Sequence, residues 1–137
     1  MPRPNPSGRG ASVPAVSEPI LLLEERIEPA ELARLVALFF EDMVKLVVDV
    51  RRGIAAVGGE LHADAEAVLL EAGSEQQDLW GANYYPGRGE EGCIEYTSLI
   101  NIRPAQGNRS MEVEEAAVRD RIREHTYTLV GRGEPLP

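Results

Sequence analysis

The chain has 137 residues, a formal net charge of −9 and one cysteine. This length is enough for one domain whose core needs neither disulfides nor metals as staples, and the single Cys93 fits a reducing compartment because it cannot form an internal disulfide. The acidic balance opposes non-specific nucleic-acid binding, which requires clustered cations, but it leaves room for a small specific patch.

The N-terminal segment is predicted to be a disordered tail. Residues 1–17 hold four prolines among small and polar residues, and so little apolar surface does not offset the entropy cost of ordering. The segment lacks the apolar centre of a signal peptide, and charged side chains interrupt the apolar run over residues 32–50, so no membrane span is expected. We therefore expect a cytoplasmic protein. A single domain is expected over residues 18–131, followed by a short C-terminal tail over residues 132–137.

The first half of the domain is predicted to contain three strands and a helix. The apolar residues 20–23 predict a buried strand. Pro29 suits the first position of a helix, and apolar side chains at helical spacing extend this helix to about Glu41. Two β-forming stretches, residues 43–50 and 54–61, predict strands joined by a tight turn.

The second half is predicted to contain two helices and two strands. Asp64 is a suitable N-cap for a helix that ends at Gly73. Residues 78–86 predict a third central strand. Residues 93–103 alternate between two sets of side chains, which predicts a strand with one face open to solvent or a ligand. The last helix is expected to begin near Ser110.

The predicted order of elements is β-α-β-β-α-β-β-α. Its first six elements match the split βαβ plan of ferredoxin-like domains, with an added strand and a C-terminal helix. We therefore predict a single α+β domain with a mixed or antiparallel sheet. Helices packed on one face of that sheet are the expected arrangement.

A dense polar cluster lies between the last predicted strand and the last helix. Arginine offers a rigid fork of donors that pairs with carboxylate or phosphate, and amides near a helix N-terminus favour negative charge. The cluster therefore predicts a binding module for an anionic small molecule or a partner's acidic group. In the alternative interpretation, the arginines pair with the chain's own carboxylates and Asn108 caps a turn. The predicted ligand-binding residues are Asn101, Arg103, Gln106, Asn108 and Arg109.

The segment GGELHAD indicates a second candidate site. If the preceding strand continued through it, Glu60, His62 and Asp64 would project from one face. A histidine flanked by carboxylates suits a divalent metal or proton transfer. The alternative function is thus a small hydrolytic or metal-assisted enzyme with His62 and Glu60 as catalytic residues. Asp64 also suits a purely structural role as N-cap. No second histidine or cysteine pair lies nearby, which excludes a structural zinc site, and no cofactor is indicated.

The third central strand contains Trp80 and two tyrosines. Such rings line pockets and dimer interfaces because they combine apolar area with a polar tip. Trp80, Asn83 and Glu95 are therefore candidate pocket residues, and ordinary core packing is the alternative for the aromatic side chains. A third functional alternative is a partner-docking or self-associating protein without a small ligand, such as a homodimer.

Three segments also resemble a known family. The motifs GGELHAD, LWGANYYP and INIRPAQGNRS, in this order, are similar to those of a family of small bacterial and archaeal proteins classed as a domain of unknown function. The resemblance covers residues 18–125. It implies one domain whose signature lies in these three segments, and it implies no activity for any residue.

Overall fold

The computed structural model describes residues 19–137. The disordered tail predicted over residues 1–17 lies outside this part of the chain. Within it, the domain has three α-helices and a five-stranded sheet, which confirms the α+β class and the predicted order of elements. The elements are β1 (Ile20–Leu23), α1 (Pro29–Phe39), β2 (Val44–Asp49), β3 (Ile54–Gly58), α2 (His62–Glu71), β4 (Leu79–Tyr84), β5 (Ile94–Glu95) and α3 (Ala116–Leu129).

The sheet is antiparallel throughout, with the strand order β1-β3-β2-β4-β5. The turn between β2 and β3 contains Gly53, which adopts a φ of 71°. The buried carboxylate of Asp49 fixes this turn, because it accepts hydrogen bonds from the amides of Arg51 and Arg52. The hydroxyl of Ser74 donates to the same carboxylate at 2.6 Å and ties the end of α2 to the turn.

Helices cover both faces of the sheet. The parallel strands β1 and β2 lie on either side of β3 and are connected by α1. The parallel strands β3 and β4 lie on either side of β2 and are connected by α2. Both crossovers move in the same direction across the sheet, but they leave from strands that point in opposite directions. Right-handed crossovers then place α1 and α2 on opposite faces. The expectation that the helices share one face is wrong.

The two faces form separate hydrophobic cores. Successive residues of β2 divide between them: Leu46 belongs to the larger core and Val47 to the smaller one. Leu35 of α1 and Ile122 of α3 are fully buried in the larger core, and Leu69 of α2 is fully buried in the smaller core. Because side chains of a strand alternate between faces, the near-continuous apolar sequence of β2 follows from this double cover.

The connection between β3 and α2 turns earlier than predicted. β3 ends at Gly58, which has a φ of 118°, and a Cβ atom there would lie 2.4 Å from the carbonyl oxygen of Pro19. Only glycine fits this close approach. The helix α2 begins at His62, before Asp64. The predicted continuation of the strand through Glu60, His62 and Asp64 is therefore wrong.

The strand predicted over residues 93–103 is wrong beyond its start. β5 contains only two residues. The hydroxyl of Ser98 accepts a hydrogen bond from the amide of Ile100 at 3.2 Å and begins a 3-10 turn instead. The helix α3 begins at Ala116, later than predicted. Residues 96–115 are thus a long irregular segment, which we call the edge loop.

The C-terminal residues contact the body of the domain. The hydroxyl of Tyr84 accepts a hydrogen bond from the amide of Gly133 at 2.8 Å, and Leu136 packs against the larger core. The amide of Gly87 donates to the carbonyl oxygen of Gly133 at 3.0 Å. Residues 132–137, predicted as a short tail, therefore bind to β4 and the loop that follows it.

Candidate functional site

The edge loop covers a free edge of β4. β5 pairs only with the last two residues of β4, so the backbone groups of Gly81 extend beyond that strand. The side-chain amide of Asn101 takes the place of a strand here. Its Oδ1 accepts from the Gly81 amide at 2.8 Å, and its Nδ2 donates to the Gly81 carbonyl oxygen at 3.0 Å. Asn101 is completely buried, and its hydrogen bonds are made within the domain.

Arg103 covers the same edge closer to the start of β4. Its guanidinium lies over the ring of Trp80, with 4.5 Å between the central carbon and the ring centroid. Its nitrogens donate to three backbone carbonyl oxygens and one side-chain amide oxygen, so no face of the fork remains for a two-point contact with an anion. The acceptors belong to Gln76, Leu79, Ile100 and Gln106.

Asn108 organises the end of the edge loop. Its Nδ2 faces the carbonyl oxygens of Asn101, Ser110 and Glu112, and its Oδ1 accepts from the amide of Glu114 at 2.8 Å. The side chain is buried. Asn108 thus closes the loop on itself, in agreement with the alternative interpretation that it fixes a turn.

The position predicted for an external anion holds a carboxylate of the chain itself. Glu114 accepts hydrogen bonds from the amides of Arg109 and Ser110, both at 3.0 Å. The amide of Arg109 is the largest cause that lowers the pKa of Glu114, followed by the Ser110 hydroxyl. The guanidinium of Arg109 is exposed and makes no hydrogen bond or ion pair within residues 19–137. Of the five predicted binding residues, it alone keeps its charged donors uncommitted.

In the segment GGELHAD, the predicted metal ligands Glu60, His62 and Asp64 are not brought together. Since α2 begins at His62, the side chains of Glu60, His62 and Asp64 do not share a strand face. Within residues 19–137, no three histidine, cysteine, aspartate or glutamate side chains come close enough together to hold a metal ion. Asp64 does not cap α2 either, because Leu61 occupies the N-cap position and makes no side-chain capping hydrogen bond.

His62 instead forms part of a cleft beside the free edge of β4, on the face of the sheet that α2 covers. This cleft has a volume of about 380 Å³, within the range of about 300–1,000 Å³ that is typical of small-ligand sites. We call it the His62–Asn83 cleft. Its lining residues are Lys45, Leu61, His62, Ala63, Asn83, Thr97, Ser98, Leu99, Ile100 and Met111.

The imidazole of His62 is held by the backbone of β4. Its Nε2 donates to the carbonyl oxygen of Ala82 at 2.8 Å, which leaves Nδ1 as the proton acceptor of the neutral ring. Burial is the largest cause that lowers the pKa of His62; the Ala82 carbonyl opposes it, the charge of Lys45 lowers the pKa further, and the Asn83 amide raises it. The neutral ring is therefore the stable form at neutral pH.

Asn83 contributes a buried acceptor to the same cleft. Its Nδ2 donates to Oε1 of Glu95 at 2.8 Å, and the hydroxyl of Tyr85 donates to that same oxygen at 3.1 Å. Glu95 thus fixes the orientation of the amide, because only Nδ2 can donate to a carboxylate. The Oδ1 atom is buried and accepts no hydrogen bond within residues 19–137 while His62 is neutral, because the one proton of the neutral ring is donated to the Ala82 carbonyl; only the protonated ring has a proton for this amide. Such an atom is costly unless a ligand or a water molecule supplies a donor.

The predicted pocket residues separate into two groups. Asn83 and Glu95 are hydrogen-bonded neighbours, whereas Trp80 lies on the opposite face of β4 and lines a second cleft of about 510 Å³. Trp80 and Tyr84 are 6 % and 1 % exposed. An exposed aromatic face over residues 80–85, which would favour a docking protein, is therefore not present on β4.

A comparison with known protein families identifies the family of this chain. Residues 21–129 match the family described as a protein of unknown function, DUF5674. The chain belongs to this family. No curated protein and no solved structure matches the chain. Membership of DUF5674 agrees with the resemblance to a domain of unknown function, and it assigns no chemistry to the cleft.

In this DUF5674 chain, Lys45 also lines the cleft, although it belongs to none of the predicted sites. It is the only lysine among 14 cationic residues, and it lies on β2 as the direct cross-strand neighbour of Asn83. Its ammonium lies 5.2 Å from the ring centroid of Phe40 and makes no ion pair within residues 19–137. A single lysine amid thirteen arginines was a signal available in the sequence.

Within residues 19–137, no helix is long and apolar enough to cross a membrane.

Proposed function

We propose that the protein is a binding module for a small molecule and that the His62–Asn83 cleft is its ligand site. The observation that carries this proposal is the buried Oδ1 of Asn83, which lines the cleft without a donor. A buried acceptor left unsatisfied costs about 1–3 kcal/mol. A ligand that donates a hydrogen bond to this atom recovers that free energy.

The side chains that line the cleft suit an amphipathic ligand. Leu61, Leu99 and Met111 are exposed large hydrophobic side chains, and Leu99 is 71 % exposed. These side chains surround a polar floor formed by His62 and Asn83. A ligand with an apolar body and a polar end would cover the walls and satisfy the floor together.

This proposal keeps the predicted anion-binding module but moves its site away from Arg103 and Arg109, to the part of the edge loop that faces His62 and Asn83. The donors of Arg103 and the amides next to Glu114 already bind groups of the chain. A ligand bound to Arg103 or to the amides next to Glu114 would have to displace these contacts. The His62–Asn83 cleft requires no such displacement, and Lys45 supplies the positive charge there.

The proposal is tested by a fragment screen with paired variants that either fill or spare the cleft. Leu99→Trp would fill the mouth of the cleft from an exposed position, and Ile102→Trp is the matched control, because Ile102 is 42 % exposed and does not line the cleft. We expect fragments that shift backbone amide NMR signals around the cleft to lose binding in Leu99→Trp and to keep it in Ile102→Trp. Fragments that bind both variants equally, or that cluster at the second cleft beside Trp80, would contradict the proposal.

A hydrolytic enzyme is the second candidate, and one observation favours it: the neutral ring of His62 lines a cleft with its Nδ1 as proton acceptor. A general base needs such a group beside its substrate. No carboxylate hydrogen-bonds to His62 within residues 19–137, so Glu60 does not act as its partner there. Hydrolysis of activated esters that is lost in His62→Gln and kept in His125→Gln would support this candidate.

A further inference from the structure

We infer that the ligand of the His62–Asn83 cleft is a short aliphatic carboxylic acid with a hydrogen-bond donor on the carbon next to its carboxylate. Lys45 binds the carboxylate, and Oδ1 of Asn83 accepts from the adjacent donor, a hydroxyl or an amine. The inference rests on the proposed function, since it names the ligand class of the same cleft.

The register of the sheet places the two polar groups side by side. Lys45 and Asn83 are direct partners across β2 and β4. The Cβ atoms of such partners lie about 4.5–5.5 Å apart on one face of the sheet. The two functional groups can therefore meet adjacent atoms of one ligand. A carboxylate and a donor on the neighbouring carbon have this spacing, whereas groups at opposite ends of a chain do not.

The chemistry of Lys45 differs from that of the other cations near the sheet. Arg51 pairs with Asp78, and Arg103 and Arg121 donate to backbone carbonyl oxygens. Lys45 makes no ion pair within residues 19–137, and its ammonium lies 5.2 Å from the ring centroid of Phe40. A compact ammonium on a flexible stem can adjust its position to a carboxylate, whereas a planar guanidinium is a rigid fork. Its charge is available to an anion because its ammonium makes no ion pair in the described part of the chain.

The orientation of Asn83 defines the second ligand group. Glu95 holds Nδ2, so the atom that remains for the ligand is an acceptor and the ligand must supply a donor. A plain carboxylic acid satisfies Lys45 and leaves Oδ1 of Asn83 unpaired. The apolar body of the ligand then contacts Leu99 and Met111 at the mouth of the cleft.

The test compares four probes that share an unbranched six-carbon chain: 2-hydroxyhexanoate, hexanoate, 1,2-hexanediol and 2-aminohexanoate. Reductive methylation with ¹³C-formaldehyde labels Lys45 as the only lysine, and the α-amino group serves as an internal reference. We expect 2-hydroxyhexanoate to shift the Lys45 signal saturably and to bind at least about tenfold more tightly than hexanoate, which lacks the donor, and than the diol, which lacks the charge. Comparison with 2-aminohexanoate distinguishes a hydroxyl donor from an amine.

Variants separate the ligand class from the existence of the site. Lys45→Met keeps the apolar stem, and we expect it to weaken 2-hydroxyhexanoate at least about tenfold while the diol is unaffected. Arg34→Met, which removes an exposed cation from α1, is the control for net charge. If the diol binds the wild type as tightly as 2-hydroxyhexanoate does, and Leu99→Trp abolishes diol binding, this inference is overturned and the proposed function is kept. If all four probes bind the Leu99→Trp variant as tightly as the wild type, both this inference and the proposed function are overturned.

Discussion

The side chain of Asn101 binds both backbone groups of Gly81, a residue twenty positions earlier in the chain. The Gly81 amide donates to Oδ1, the Gly81 carbonyl accepts from Nδ2, and Nδ2 also donates to the carbonyl oxygen of Met111. One side chain therefore satisfies the edge of β4 and anchors the edge loop against it. An uncovered strand edge is a site of aggregation, so this contact affects solubility as well as stability.

Asn101→Ala is expected to lower the free energy of unfolding by about 2–4 kcal/mol, because it leaves buried groups of Gly81 unpaired at about 1–3 kcal/mol each. Urea denaturation measures this change. Gln106→Ala is the control, since it removes side-chain hydrogen bonds from an exposed position of the same loop, and its effect should stay within about 0.5 kcal/mol. Equal losses in the two variants would show that Asn101 has no special role.

Gly81→Ala is expected to destabilise the protein by about 1–3 kcal/mol through overpacking. A Cβ atom there would lie 2.6 Å from Cβ of Ser98 and 3.2 Å from Cδ2 of His62. Because Ser98 carries the closest atoms, Ser98→Gly should relieve part of the strain. A double-mutant cycle tests this coupling, which should be about 0.5–3 kcal/mol and favourable. Additive losses would mean that the strain lies elsewhere.

Local patterns predicted the first half of the fold well. Pro29 and the helical spacing after it define α1, and the turn at Gly53 joins β2 to β3 as expected. The failures depend on distant contacts. The alternation over residues 93–103 resembles a strand, but Asn101 turns inward because its partners lie on β4. Sequence periodicity carries no information about a partner twenty residues away.

The polar cluster shows the same limit at the level of function. Its donors suggested a ligand, and the sequence offered carboxylates as their alternative partners. In the structure, Arg103 binds backbone carbonyl oxygens of β4 and of the segment before it. An unpaired strand edge needs donors just as an anion does, so composition alone cannot separate the two. The position of Lys45 opposite Asn83 likewise depends on the register of β2 and β4.

Arg103→Ala is expected to lower the free energy of unfolding by about 2–4 kcal/mol, since the carbonyl oxygen of Leu79 loses a charged donor and Trp80 loses its stacked guanidinium. The emission of Trp80, the only tryptophan, should shift to longer wavelength as the ring becomes more exposed. Arg109→Ala is the control and should change neither quantity, because that guanidinium is exposed. A stable Arg103→Ala variant with unchanged emission would restore Arg103 as a candidate ligand-binding residue.

The buried imidazole of His62 should make the protein less stable in mild acid. Burial lowers the pKa of His62 in the folded state, whereas the unfolded chain has the ordinary value of about 6.5. Between these two values the unfolded state binds more protons, so stability is full above about pH 6.5 and falls as the pH drops toward the folded pKa. The slope contributed by one such group is at most about 1.4 kcal/mol per pH unit.

Urea denaturation of the wild type and of His62→Gln tests this expectation. The measurements cover about pH 5 to 8, a range that spans the ordinary histidine pKa of about 6.5. Glutamine keeps a donor for the Ala82 carbonyl but does not titrate, so the stability of the variant should depend less on pH in this range. His125→Gln controls for the loss of a histidine on the other face of the sheet. A wild type that becomes more stable on acidification, or a His62→Gln variant with the wild-type slope, would show that His62 is not the group whose protonation opposes folding.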